Sequence, residues 1–159
     1  MEMAHLLLIL HLGKIVDMGI KDANNMGAAM APAALDTLLT HFSDTGRTPS
    51  YYDAIITGDL GLIGKDILID LADKSGFNIK SVYNDCGALI FDKSKQDTHS
   101  GGSGCGCIAS VFSGYLYNEL KKKNLKKVLL IATGALMNSM SAQQGESIPG
   151  IAQAIAIEV

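Results

Sequence analysis

The run His99-Ser100-Gly101-Gly102-Ser103-Gly104 is the segment best suited to hold a ligand. Glycines let a backbone approach a bound molecule closely. A helix predicted to follow from Cys105 would aim N–H groups at an anion such as a carboxylate or phosphate. The alternative is a flexible turn. The run is not a phosphate loop, because no Gly-Lys-Ser/Thr follows, and it is not a dinucleotide fingerprint. Cys105 and Cys107 lie two positions apart, which on a helix separates them by roughly 200°. If both are helical they cannot share one metal ion. If Cys105 is still in the turn, one thiol could face a pocket, its ionisation eased by the helix start. Against that stands packing, which also calls for small side chains where space is tight. His99 could serve as acid, base or ligand, but no motif sets a carboxylate beside it. The incidental reading is preferred for it, as for His5, His11 and His41. Thr57-Gly58-Asp59-Leu60-Gly61 sits where a strand should give way to a helix, the place where ligands bind in open α/β sheets. Asp59 reads more readily as a helix cap there, and the two roles are compatible. Residues 134–147, with Met137, Met140, Gln143 and Gln144, form either a functional loop or an ordinary surface excursion.

The elements that must position these residues alternate between two periods. Short apolar, β-prone runs predict strands at 14–18, 53–57, 79–83, 128–133 and 150–159. Helical spacing predicts a helix from about Ala31, since Pro32 fits only a first turn, with Asn24 or Asn25 as a possible N-cap. A second helix is predicted over 60–74, its apolar set Leu60, Ile63, Ile67, Leu68 and Leu71, with Gly76 as the stop. A third is predicted over 105–123 with an inner stripe of Ile108, Val111, Phe112, Tyr115 and Leu116, and Lys121, Lys122 and Lys123 favouring its carboxyl end. Residues 84–104 read as loop. The pattern is that of an α/β layer, with no internal repeat and no linker that divides the chain.

Composition narrows the function. The 159 residues are 48% apolar and 18% charged, which excludes a disordered or collagen-like chain. Thirteen Lys+Arg against sixteen Asp+Glu disfavour a nucleic-acid partner. The 6% of aromatic residues, none of them Trp, make a poor base-stacking platform. Three cysteines, an odd number, argue against a disulfide framework and for a reducing interior. No apolar run reaches the roughly 18 residues needed to span a bilayer. The apolar stretch 4–10 lacks the flanks of a signal peptide. No acidic spacing resembles a calcium loop, and no metal is expected.

Longer words of the sequence are more specific. GKIVDMGIKDANNMGAAMAPAALDTL, YYDAIITGDLGLIGKDIL, VYNDCGALIFD, THSGGSGCGCIASVFSGYLYNELK and LIATGALMNSMSAQQGESIPGIAQAIAIE resemble the stage V sporulation protein AD family from about Gly13 to Val159. That family is similar to thiolases and ketoacyl synthases, whose members carry two related α/β halves. The resemblance implies one half of this duplicated layered fold, a thiolase-like mixed sheet with flanking helices. Residues 13–159 would be the C-terminal domain and 1–12 a non-matching segment, as a truncated or frame-shifted reading frame would give.

The resemblance also implies a function. The family binds dipicolinic acid and, with membrane proteins of the stage V sporulation protein A group, supports its uptake into the developing spore and its release in germination. It is a binding role without catalysis or cofactor, peripheral to the inner membrane of the spore. The residues are consistent with lost catalysis. Where ketoacyl synthases end a strand in a catalytic His, this chain has Thr57-Gly58-Asp59-Leu60. Where thiolases carry a second cysteine, residues 133–136 hold none. His99 resembles the histidine of the thiolase Gly-His-Pro motif. The expected ligand contacts are His99, Ser100, Gly102, Ser103, Gly104 and Cys105, with Thr57 and Asp59. The alternatives are half of an acyl-transferring enzyme and a nonfunctional fragment. An isolated half would expose an apolar face, and a homodimer could cover it.

Overall fold

The computed structural model describes residues 7–159, so residues 1–6, with the first three of the apolar stretch 4–10, lie outside the description. The elements are β1 (Leu7–His11), α1 (Met26–Thr45), β2 (Ala54–Thr57), α2 (Gly61–Lys74), β3 (Tyr83–Asp85), α3 (Cys86–Leu89), α4 (107–121), β4 (Lys127–Ala135), α5 (Ser139–Gln143) and β5 (Gly150–Glu158). They form one mixed sheet in the order β1-β5-β4-β2-β3. β3, β2 and β4 run parallel, while β5 is antiparallel to both β4 and β1. The α/β expectation holds.

The sheet has a core on each face. All four residues of β2 are buried, as a strand covered on both sides requires. Ile55, Leu129, Ile131 and the alanines Ala152, Ala154 and Ala156 face α1 and α2, with Leu38, Phe42 and Leu68. Ile56, Leu130 and Ile157 face α4, with Val111, Leu116 and Leu120. The helices of the first layer cross where both have glycine. A Cβ on Gly27 would stand 2.3 Å from the Leu60 carbonyl oxygen, and one on Gly64 would stand 2.9 Å from the Gly27 Cα.

Four expectations are corrected. α1 begins at Met26, not Ala31, with Pro32 inside it. The start is fixed by Asn25, whose side chain accepts from the Ala28 amide at 3.3 Å, and the buried alanines around Pro32 hold the turn that lacks its N–H. The 14–18 strand reduces to a single bridge between Val16 and Gly150. The strand expected at 79–83 is Tyr83–Asp85, because the chain turns from Ile79 to Val82 (3.1 Å) and Ile79 plugs the core. Within α4 the segment Phe112–Leu116 is π-helical. One extra residue in that turn moves the buried line from Val111 to Leu116 and Leu120, leaving Tyr115 exposed.

The edge strand β1 is tied to α1 by a directed chain of hydrogen bonds. Arg47 Nη1 donates to the Tyr52 hydroxyl at 3.0 Å, and Tyr52 bonds His41 Nε2. His41 Nδ1 meets His11 Nδ1 at 3.3 Å, and His11 Nε2 meets Asp44 Oδ2 at 3.1 Å. With both imidazoles neutral, only one assignment gives each contact one hydrogen. Tyr52 donates to His41, His41 to His11, and His11 to Asp44. Burial pushes the His41 imidazole down from its ordinary 6.5 to about 4, with His11 and Arg47 adding repulsion and Asp44 opposing them. The folded state therefore holds this proton less well than the unfolded chain. The stabilisation is complete above about 6.5 and is lost as pH falls toward about 4. Urea unfolding followed across this window should show stability falling with acid. The slope should shrink in His41→Gln, and an unchanged slope there would contradict the assignment.

Candidate functional site

The candidate site lies at the carboxyl ends of β2 and β3. Parallel pairing sets Thr57 opposite Asp85, and both are wholly buried. The Thr57 hydroxyl donates to Asp85 Oδ2 at 2.7 Å, so it must accept from Tyr83, whose hydroxyl lies 2.7 Å away. Asp85 Oδ2 also accepts the Leu60 amide at 2.9 Å, and Oδ1 accepts those of Gly61 at 2.9 Å and Ala88 at 3.2 Å. One carboxylate thus caps α3 and gathers the start of α2. Burial raises the Asp85 carboxyl above its ordinary range, while the Thr57 hydroxyl and the three amides pull it down. Burial likewise holds the Tyr83 hydroxyl protonated, well above its ordinary value.

The glycine run is laid on this frame backbone to backbone. The Ser100 carbonyl accepts the Leu62 amide at 2.8 Å, and its hydroxyl accepts that of Ile63 at 3.3 Å. The Gly102 amide donates to the Gly87 carbonyl at 2.8 Å. Glycine is required on both sides of this contact. A Cβ on Gly87 would stand 2.3 Å from the Gly102 oxygen, and one on Gly101, at φ +108°, would stand 2.2 Å from the Gly87 oxygen. Asp59 fastens the far end of the run. Its Oδ1 accepts the Thr133 hydroxyl at 2.8 Å, and its Oδ2 accepts the Gly104 amide at 2.8 Å with Ser103 Oγ at 3.5 Å. Asp59 therefore does not cap α2, contrary to expectation. Asp85 and Ser100 have taken that helix's first amides, and Asp59 ties the loop to β4.

Between the loop, the start of α2 and the start of α1 lies a cavity of about 210 Å³, bounded by Asn24, Asn25, Asp59, Ser100, Gly102 and Ser103 among others. Of the residues named from sequence, Asp59, Ser100, Gly102 and Ser103 line it. Gly104 stands at its edge through Asp59. Thr57 lies behind the wall, wholly buried. The His99 side chain is 92% exposed, with Asp97 at 3.7 Å, and Cys105 is exposed; neither lines the cavity. The 134–147 segment holds the short α5, capped by Asn138, and also stands apart from the cavity. Burial pushes the Cys86 thiol up to about 12 and raises that of Cys107, so neither is a thiolate near neutral pH. Among the described residues no group of three or more His, Cys, Asp or Glu could hold a metal ion, and no helix is long and apolar enough to cross a membrane.

Sequence reasoning missed Asp85 by leaving 84–104 as loop. A signal was present, because an aromatic β-prone pair, Val82-Tyr83, runs into an Asp that suits an N-cap. The partners of that Asp across the sheet were not visible.

Comparison with known proteins supplies the remaining observation. A family model for stage V sporulation protein AD matches residues 3–158. Stage V sporulation protein AD of Bacillus subtilis (strain 168) is 42% identical over 146 residues, covering 92% of this chain and 43% of that protein. The chain therefore spans less than half the length of this curated relative.

Asp85→Ala should cost roughly 3–5 kcal/mol, since it strands three amides and the Thr57 hydroxyl in the interior. Asp85→Asn should cost less, because one acceptor oxygen survives. Urea denaturation at neutral pH checks both, and a loss under about 1 kcal/mol for the alanine variant would show that the frame does not depend on this carboxylate.

Proposed function

The chain belongs to the stage V sporulation protein AD family, and on that premise we propose that it is a non-enzymatic, spore-associated protein that binds dipicolinic acid. In this reading it supports uptake of the acid into the developing spore and its release in germination. It works beside membrane proteins of the stage V sporulation protein A group, peripheral to the inner membrane. Residues 13–159 supply one thiolase-like half of the duplicated layered fold, its C-terminal domain. A homodimer would cover the apolar trough beside α4, where Leu10 is 72% exposed near Ile108 and Phe112.

Family membership carries the reading, and the cavity between the glycine run and the starts of α1 and α2, with polar groups on part of its wall, supports it. A planar dianion there needs donors, because burying its charge without them is costly. The Ser103 hydroxyl and the side-chain amides of Asn24 and Asn25 are of the right type. Asp59 is the one opposing charge on the wall. Its oxygens are occupied by Thr133 and Gly104, which turns part of that charge away from the space.

Calorimetric titration with dipicolinate tests this, on the present chain and on a full-length family member changed at the same positions. Ser103→Ala should weaken binding several-fold. Gly104→Val should weaken it roughly tenfold or more, because φ at Gly104 is +112° and a β-branched residue cannot hold that conformation. Unchanged affinity in both variants would overturn the assignment of the loop.

A further inference from the structure

We propose that the end of the sheet opposite the cavity is a docking surface for anionic lipid headgroups. Five of the thirteen basic residues fall within seven positions, at Lys121, Lys122, Lys123, Lys126 and Lys127, while the other eight face sixteen acidic residues over the whole chain. The fold gathers them at one pole. Lys121 closes α4, Lys123 turns the chain at φ +61°, and Lys127 opens β4. The turn is set by backbone bonds from Lys123 to Leu120 (3.0 Å) and from Asn124 to Glu119 (3.0 Å). Asp53 Oδ2 accepts the amides of Lys126 at 2.7 Å and Lys127 at 2.9 Å. The cavity stands at the carboxyl ends of β2 and β3, whereas this surface stands at the amino ends of β2 and β4.

The carboxylates beside the cluster are engaged. Glu119 is held by Asn124 at 2.9 Å and Lys122 at 3.4 Å, Asp53 by the two amides, and Glu158 by Arg47 at 2.5 Å. Among the described residues Lys121, Lys123 and Lys126 make no salt bridge, and all three are exposed. Their ammonium groups have therefore kept their water and their charge for a partner.

The neighbours of the lysines favour a bilayer surface over nucleic acid. Tyr117 is 54% exposed and precedes Lys121 by one helical turn. Tyr115 is 52% exposed and borders a groove shared with Asp53 and Leu125. Tyrosine with lysine is the pairing found at membrane interfaces, where the ring sits at headgroup depth and the ammonium stays in water. Arginine, with its planar fork, is the residue of choice for nucleic-acid recognition, and the cluster has no arginine. Clusters of four to eight basic residues bind anionic leaflets with a gain per residue that compounds to roughly a hundredfold for three free lysines.

This deepens the peripheral placement proposed above and rests on it only for which membrane is met. The test is co-sedimentation of the chain with phosphatidylcholine vesicles, alone and mixed with phosphatidylglycerol. Binding is expected only to the mixed vesicles, and it should weaken with added salt. The variant K121Q/K123Q/K126Q should bind roughly a hundredfold less. K14Q/K93Q/K95Q, which loses the same charge elsewhere, should bind nearly as wild type. Absence of binding to mixed vesicles, equal loss in both variants, or equally tight binding to duplex DNA would overturn the proposal. Dipicolinate titration of K121Q/K123Q/K126Q is expected to match wild type, so either proposal can fail without the other.

Discussion

Asp85 is fully enclosed and answered on every side by donors from three separate stretches of chain. It takes a hydroxyl from β2, two amides from the start of α2 and one from the start of α3. An unmatched carboxylate in that position would be ruinous for folding. The arrangement is thus all or nothing, because the donors must converge together. Their convergence fixes where two helices begin, and the helix starts in turn are the bed on which the glycine run lies.

Alternation and helical spacing were enough to find the buried β2, the long β4 and β5, and α2 within a residue of its start. The fold class follows from that order. The misplacements share a cause. β3 is three residues long, too short to show a period, and its identity comes from pairing with β2. Pro32 argues locally for a helix start, but tertiary packing on the sheet and a good cap at Asn25 outweigh it. A period of 3.6 points Tyr115 inward, and the helix abandons that period for one turn.

The candidate site was legible in its loop and illegible in its support. Glycines, serines and Asp59 announce themselves by type and place, and four of the eight named residues do meet at one cavity. A carboxylate just before a helix usually caps it, which is what the sequence predicts for Asp59. The structure gives that task to Asp85, twenty-six positions later in the chain, and no local rule links the two. His99 and Cys105 have the chemistry that draws attention in a sequence, yet both are exposed.

The π turn in α4 has a consequence for how the two poles of the molecule relate. A regular helix transmits phase, so that a face chosen at one end dictates the face at the other. With one residue extra at Phe112–Leu116, the face that α4 buries steps by about 100° from its first segment to its second. The first is set by Cys107 and Val111 beneath the glycine run, and the second by Leu116 and Leu120 beneath the lysines. One helix thereby buries apolar residues at both of its ends although no single 3.6-residue stripe joins them.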